Sequence, residues 1–315
     1  MIKICFVGAG RMAEEHLKVF SKIKNVKLVG IVTRTKKKAE KLVSKYPNLK
    51  IYENLDKMYS LEKPDGTVVS VSENSLHKVC KTIFKFKNPI LIEKPIGCNY
   101  DENLKIINLA KKFKKRNCFV ALNRRQYSST KKLIKKLSKD KGVRKIYIND
   151  QQFNLKKKYP HKDKIVLDNM MYANSVHLID YINIVARGKI YSIKTFIEKK
   201  RKNVSHLSSI LKFSSGDLVH YRSIWNEFSK WGVRIFTNNY FYEMSPLEQL
   251  KYFNYKNLKK INIISEINDT EYKPGFMHQA MNFINVIKKK PHLLVTINDN
   301  FKTTKLIKKI YAKFK

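Results

Sequence analysis

Residues 1–15 read MIKICFVGAGRMAEE: an apolar run, a glycine turn, and then the acidic, alanine-bearing start of a helix. Ile2 to Val7 has the length and apolarity of a strand buried on both faces, and Gly8, Gly10 and Ala13 stand at G-x-G-x-x-A spacing. Each position has a physical job. Gly8 permits a tight turn, Gly10 lets backbone approach a pyrophosphate, and Ala13 keeps the helix close to the strand. The helix N-terminus, at Arg11 and Met12, offers N–H donors to an anion. A tight structural turn uses the same spacing, but a strand-turn-helix context favours a dinucleotide site.

Working outward, the pattern alternates. Val26–Thr33 reads as a strand, Lys36–Lys45 as a helix and Leu49–Tyr52 as a short strand. Asp65–Ser72, Pro89–Ile92 and Cys118–Leu122 continue the strands, with helices at His77–Phe86 and Asp101–Lys115 between them. Strands alternating with helices predict a parallel, doubly wound sheet with right-handed crossovers. Beyond Asn123 the texture changes to longer strand-like segments, at Val143–Phe153, Ile190–Glu198, Ser205–Phe213, Asp217–Trp225 and Trp231–Thr237. The turn Ser214-Ser215-Gly216-Asp217 predicts hairpin pairing, and helices near Ser128–Leu137, Met170–Val185, Phe276–Lys289 and Asn300–Lys313 would cover one face. The expected fold is α/β: a doubly wound Rossmann domain over 1–122, then an α+β domain with an open, mostly antiparallel sheet over 123–315.

Composition bounds the rest. The chain has 315 residues, long enough for two domains. No apolar stretch approaches the roughly 18 residues of a membrane span, and no signal-peptide pattern precedes the first strand, so a cytoplasmic protein without membrane insertion is expected. Cys5, Cys80, Cys98 and Cys118 show no C-x-x-C and no paired His spacing, so they read as reduced core or near-core thiols, and no metal site is expected. The 66 Lys and Arg against 25 Asp and Glu give a net charge of +41. That balance ordinarily suggests a polyanionic partner. The lysines recur along the whole chain without a basic tail or aromatic ladder, which argues against specific nucleic-acid binding and for salt-sensitive sticking to polyanions.

Four signals fall in order along the chain: GAGRMAEEH at the start, Glu93-Lys94-Pro95 after the fifth strand, Asn123-Arg124-Arg125 at the domain junction, and NSVHLIDY around His177. Together they resemble the glucose-fructose oxidoreductase, inositol dehydrogenase and MocA family over nearly the full length, including the late Gly275-Phe276 entry into a helix. The resemblance implies an N-terminal Rossmann domain, a C-terminal domain on an open sheet, an active site between them, and oxidation or reduction of a sugar, inositol or nucleotide-sugar hydroxyl with NAD or NADP.

Lys94 matches the family lysine that lies beside the nicotinamide and hydrogen-bonds the reacting oxygen. A compact ammonium at a strand's carboxyl end suits charge that develops on that oxygen. Glu93, by the same resemblance, contacts the nicotinamide end of the cofactor or holds Lys94; the bland alternative is a surface ion pair. His177 matches the family histidine that exchanges the hydroxyl proton, a role suited to its ordinary pKa; a satisfied core histidine is the alternative. Many relatives carry aspartate four residues before that histidine, where this chain has Ala173. Asn174 is adjacent and can hydrogen-bond a sugar, though an amide takes no proton at neutral pH; three readings stay open, in which His177 acts alone, another residue such as Tyr172 assists, or the reaction differs from simple polyol oxidation. Asn123, Arg124 and Arg125 stand where the chain leaves the Rossmann sheet, and arginine suits phosphate or carboxylate. The alternative for either arginine is a hinge salt bridge.

The second strand ends Val32-Thr33-Arg34-Thr35, with no acid to bind the adenosine ribose hydroxyls. Thr33 and Arg34 favour a 2′-phosphate and hence NADP, with NAD still admissible. Ser72, ending the fourth strand, matches a small hydroxyl position that contacts cofactor in relatives. The expected function is an NAD(P)-dependent sugar or nucleotide-sugar dehydrogenase, with a role in surface polysaccharide synthesis and a homo-oligomeric state, dimer or tetramer. The competing expectation is a cofactor-binding regulatory protein that kept the fold and lost turnover, for which Ala173 is the only support.

Overall fold

The computed structural model describes residues 1–153, 155–200 and 203–314. The chain divides into two compact units: the first is Met1–Gln126 with Asn268–Phe301, the second Tyr127–Ile267 with Lys302–Lys315.

The first unit is built on a seven-stranded sheet. Its strands are β1 (Ile2–Val7), β2 (Val26–Val32), β3 (Lys50–Tyr52), β4 (Gly66–Val69), β5 (Ile90–Glu93) and β6 (Cys118–Ala121), with Val295–Thr296 as a further edge strand. The first six pair in parallel in the spatial order β6-β5-β4-β1-β2-β3, and Val295–Thr296 lies antiparallel on β6. This is the doubly wound order with its switch point between β1 and β4. The inner strands are buried throughout, as continuous apolar runs require. On the helix Arg11–Phe20, Ala13, His16, Leu17 and Phe20 recur at helical spacing and face inward. That face meets the helix Phe276–Ile287, with Phe20 and Phe283 edge to face at 6.1 Å and Phe276 in the same core.

This last contact explains where the division differs from one at residue 123. Gln126 bonds the Leu293 carbonyl, and Asn123 bonds the Pro274 carbonyl. The returning segment thus covers an apolar face of the first helix and completes a sheet edge. A strand of two residues and a helix at the chain's far end leave no local signature of that destination.

The second unit holds an eight-stranded sheet. Its strands are β7 (Lys145–Gln152), β8 (Ile190–Lys200), β9 (Asn203–Phe213), β10 (Leu218–Trp225), β11 (Gly232–Phe236), β12 (Tyr240–Met244), β13 (Leu250–Asn254) and β14 (Lys259–Ile263). The order is β14-β13-β12-β11-β7-β10-β9-β8, antiparallel except for β7 beside β10. The predicted turn joins β9 to β10, with Gly216 at φ +86°. Alternating Lys and Asn dilute the apolar pattern in 240–263, so its three strands are not evident from periodicity. Strand β7 alternates cleanly: Ile146, Ile148, Asp150 and Gln152 point inward, Lys145 and Tyr147 outward.

Local ends shift for identifiable reasons. The helix expected from His77 begins at Glu73, because Ser72 takes an extended conformation as its N-cap. The helix Leu55–Glu62 is absent from the sequence reading; it is short, and Asn54 caps it by accepting from the Lys57 N–H. The segment expected as one helix from Met170 opens with a π-helical turn, Met171–Ser175, before the α-helix Val176–Val185.

Candidate active site

In the first unit, the carboxyl ends of β1, β2 and β4 converge on the glycine turn. The Gly8 N–H donates to the Val32 carbonyl and the Ser70 N–H to the Val7 carbonyl. Gly8 sits at φ +102°, and a Cβ there would lie 2.3 Å from the Ser70 carbonyl oxygen. Only glycine fits. Gly10 differs: a Cβ would meet nothing within 4 Å, so the backbone here is open to a ligand. Gly10 also caps the helix Arg11–Phe20 with no side-chain hydrogen bond, and first-turn N–H groups such as those of Arg11 and Met12 have no partner within their own helix. Those features fit a dinucleotide pyrophosphate.

Beside the turn, Thr33 and Arg34 follow β2 and Ser72 follows β4. The exposed Arg34 guanidinium reaches the Ser72 hydroxyl at 3.5 Å, and that hydroxyl lies 2.9 Å from Ser75 Oγ. The Thr33 hydroxyl accepts from the Thr35 N–H at 3.3 Å. A guanidinium and two hydroxyls therefore line the edge where an adenosine ribose would lie, with no carboxylate at the end of β2.

Strand β5 carries Glu93 to its end, followed by the half-buried Lys94 and a cis Lys94–Pro95 bond. Glu93 is no surface ion pair. Its side chain is 9% exposed, and its Oε1 lies 2.8 Å from Nε2 of the fully buried His16. A carboxylate only accepts, so Nε2 carries the proton and donates. The His16 ring lies 4.8 Å from that of Phe276. Spacing within GAGRMAEEH was the available signal for His16: it follows Ala13 by three residues, on the inward helical face.

After β6, Asn123, Arg124 and Arg125 form a short 3-10 turn. Asn123 is buried and donates to the Pro274 carbonyl at 3.0 Å, while its Oδ1 lies 3.5 Å from an Arg124 guanidinium nitrogen. Arg124 and Arg125 are half-buried. The next residue after Pro274's neighbour, Gly275, starts a helix, and Lys273 precedes this pair. Burial pushes the Lys273 pKa down, with the Arg11 charge adding to the effect and Glu15 and Glu93 opposing it. Lys273 thus joins Arg11 and Arg124 in one positive field, a member that local sequence pattern does not reveal.

In the second unit, His177 is buried on the helix Val176–Val185, its ring 6.4 Å from that of Trp231. The Trp231 indole N–H donates to the Gln151 carbonyl, which fixes the ring. Asp180, three residues on, accepts from the Thr303 hydroxyl, and Thr303 in turn accepts from Asn183. Asp180 ties its helix to the last helix of the unit. Tyr172 and Ala173 are buried in the π-helical turn; Asn174 is half-exposed and donates to Gln152 Oε1 at 3.0 Å. Tyr127, at 3% exposure, is a core aromatic.

The four cysteines are buried. Burial pushes the Cys5 and Cys118 thiols up to about 12, so neither carries a thiolate at neutral pH. Among the described residues no group of three or more His, Cys, Asp or Glu could hold a metal ion, and no helix is long and apolar enough to cross a membrane.

The glycine turn, strand order and open helix N-terminus define a dinucleotide-binding Rossmann domain. Residues 2–122 match the model of GFO_IDH_MocA, an oxidoreductase family with an NAD-binding Rossmann fold. A stretch of 104 residues, 32% of this chain, is 34% identical to glucose-6-phosphate 3-dehydrogenase of Bacillus subtilis (strain 168) and spans 28% of that protein. In overall fold the chain is similar to UDP-N-acetylglucosamine 3-dehydrogenase GnnA from Acidithiobacillus ferrooxidans: TM-score 0.79, 11% identity, 99% of this chain and 98% of that one. It is also similar to the WlbA dehydrogenase from Bordetella pertussis in complex with NADH and UDP-GlcNAcA: TM-score 0.77, 12% identity, 99% of this chain and 95% of that one.

Proposed function

We propose that the protein is an NAD(P)-dependent dehydrogenase that moves a hydride between nicotinamide and a hydroxyl- or keto-bearing carbon of a sugar or nucleotide sugar. The observation that carries the reading is Lys94 at the carboxyl end of β5, preceded by a glutamate clamped to His16, in a domain whose glycine turn suits a dinucleotide. When bound, the nicotinamide supplies two-electron hydride chemistry. Gly8, Gly10, Arg11, Met12, Thr33, Arg34, Ser72 and Glu93 form its binding surface. Lys94 donates a hydrogen bond to the reacting oxygen and stabilises charge there. His177 takes or returns the hydroxyl proton. Asn123, Arg124, Arg125, Tyr172 and Asn174 contact the substrate, the arginines suiting an anionic group on it.

NADP is the favoured cofactor, since Arg34 and Thr33 can receive a 2′-phosphate where an acid would repel it. The names of the relatives suggest glucose 6-phosphate and UDP-N-acetylglucosamine as first probes. A homo-oligomer joined through the outward face of the second sheet is part of the same reading: Tyr147 stacks on His220 there, and Tyr191 and Phe196 on β8 are exposed. We assign the protein to the cytoplasm and to surface polysaccharide synthesis.

Matched titrations with NADH and NADPH, followed by turnover of both probes by wild type, Lys94→Ala and His177→Ala, test this. The expected result is tighter NADPH binding and loss of turnover in both variants. Turnover surviving both substitutions would sink the mechanism.

A further inference from the structure

Behind the π-helical turn lies a closed polar network in which one residue is acceptor-only. Asp150 is buried on the inner face of β7, where Oδ2 accepts from the Tyr221 hydroxyl at 2.7 Å and Oδ1 from Gln152 Nε2 at 2.9 Å. Ser175 and the Gln151 N–H also hydrogen-bond it, yet burial still pushes its pKa upward. Tyr221 is engaged in turn at 2.9 Å with the Tyr311 hydroxyl.

Gln152 is fully buried, and its amide has one feasible orientation. Nε2 sits 2.9 Å from both Asp150 Oδ1 and Ser175 Oγ, so its two hydrogens are spent on those partners. Reversing the amide would aim a carbonyl oxygen at a carboxylate, which burial makes costly. Gln152 Oε1 must therefore accept, and it does so from Asn174 Nδ2 at 3.0 Å. The order passes on: Asn174 Nδ2 faces the interior and Oδ1 faces away from it. From Met170 to Ile182 every residue is buried except Asn174. Among the described residues no protein donor reaches Asn174 Oδ1. The turn that displays this amide is π-helical, a distortion frequent at functional sites.

We infer that Asn174 reads its ligand as an obligate hydrogen-bond acceptor, with Asp150 and Gln152 as positioning residues that dictate which end of the amide is presented. The ligand group at this point is a donor, a sugar hydroxyl or an amide N–H, and an anionic oxygen is rejected. Asn174 follows Ala173 and stands three residues before His177, so the acceptor lies on the helical face that leads to the proposed proton-transfer group. This rests on the sugar-dehydrogenase reading for the identity of the ligand, but not for the orientation of the amide.

The first test uses the full-length protein without substrate. Side-chain amide exchange is followed by 15N NMR, with Gln152 and Asn174 assigned through Gln152→Glu and Asn174→Asp. Protection of both Gln152 amide hydrogens is the expected result, and solvent-like exchange of that pair overturns the proposal. The second test measures turnover of glucose 6-phosphate and UDP-N-acetylglucosamine. Asn174→Ala and Asp150→Asn should each raise KM about tenfold, the loss of one hydrogen bond of about 1.4 kcal/mol, with kcat within about threefold. The double variant should be no worse than the poorer single one, since both remove the same contact. Multiplying effects would show that Asp150 acts only on stability and would refute its positioning role. Protection of Gln152 together with no turnover of either probe by wild type would support the orientation and count against the sugar reading alone.

Discussion

Two glycines two residues apart should answer the same substitution in opposite ways. Gly8→Ala places a methyl group 2.3 Å from the Ser70 carbonyl oxygen, on a backbone held at φ +102°. Neither Ser70 nor the glycine can move without breaking the bonds that join β1, β2 and β4. The positive φ costs about 1–2 kcal/mol and the overpacking about 1–3 kcal/mol, together roughly 2–5 kcal/mol. For a unit of this size about 2–4 °C accompanies each kcal/mol, so the melting temperature should fall by about 4–20 °C. Gly10→Ala meets open space at φ −85°, a conformation alanine adopts freely. Its melting temperature should stay within about 2 °C of wild type. The cost appears instead in nucleotide binding: a methyl group between backbone and pyrophosphate forfeits about 1–3 kcal/mol, about 5- to 150-fold in Kd. Calorimetry of the ligand-free variants, with NADPH fluorescence titration of each folded one, separates the two effects. Unchanged NADPH affinity in Gly10→Ala would refute the placement of the pyrophosphate at this turn, and an unshifted melt in Gly8→Ala would refute the geometry of the turn.

Three further outcomes are expected. His16→Ala leaves the buried Glu93 carboxylate without its donor and removes the ring from Phe276, so the first unit should lose on the order of 3 kcal/mol in denaturant unfolding; Glu93→Gln, which keeps a neutral hydrogen bond, should lose less. Arg34→Ala should weaken NADPH at least about tenfold while leaving NADH within about threefold, and equal losses for both would remove the argument for NADP. Asp217 gives a pH signature: burial raises its pKa, but hydrogen bonds from the Arg187 side chain and from the Arg144 and Arg187 N–H groups hold it below the ordinary value. The depressed folded pKa means this stabilisation is present above the unfolded pKa, about 3.9, and is lost as pH falls through the lower folded value. Acid-unfolding curves for wild type should steepen below about pH 4, and Asp217→Asn should flatten that limb.

The glycine turn, the parallel order of the first six strands and the landing of Lys94 at a strand end were legible because each depends on neighbours in sequence. Apolar runs, glycine spacing and a Pro-terminated strand state their structure locally. Glu93 was visible singly, but His16 was not singled out, and their partnership joins the first helix to the fifth strand, which no local pattern reports. Asp150 and Gln152 carried a signal that periodicity alone could expose: polar side chains on the same face of β7 as Ile146 and Ile148, where an inward polar residue must have partners. Lys273 carried none, because it lies on the segment that returns to the first unit, far in sequence from the Arg11, Glu93 and Arg124 that surround it.

That return has a consequence for how the protein is made. The chain passes between units three times, at residues 126–127, 267–268 and 301–302. A ribosome therefore emits six parallel strands and the first helix long before Phe276, Phe283 and Val295 exist to cover them. Until synthesis is nearly complete, the inward face of the first helix and the open side of β6 stay uncovered, while the second unit's sheet has already emerged entire. Nascent chains stopped at residue 126 should draw chaperones and proteases, and a gene trimmed to the apparent Rossmann half should yield aggregate. A joined product of residues 1–126 and 268–301, linked across the excised middle, is the shortened form expected to fold.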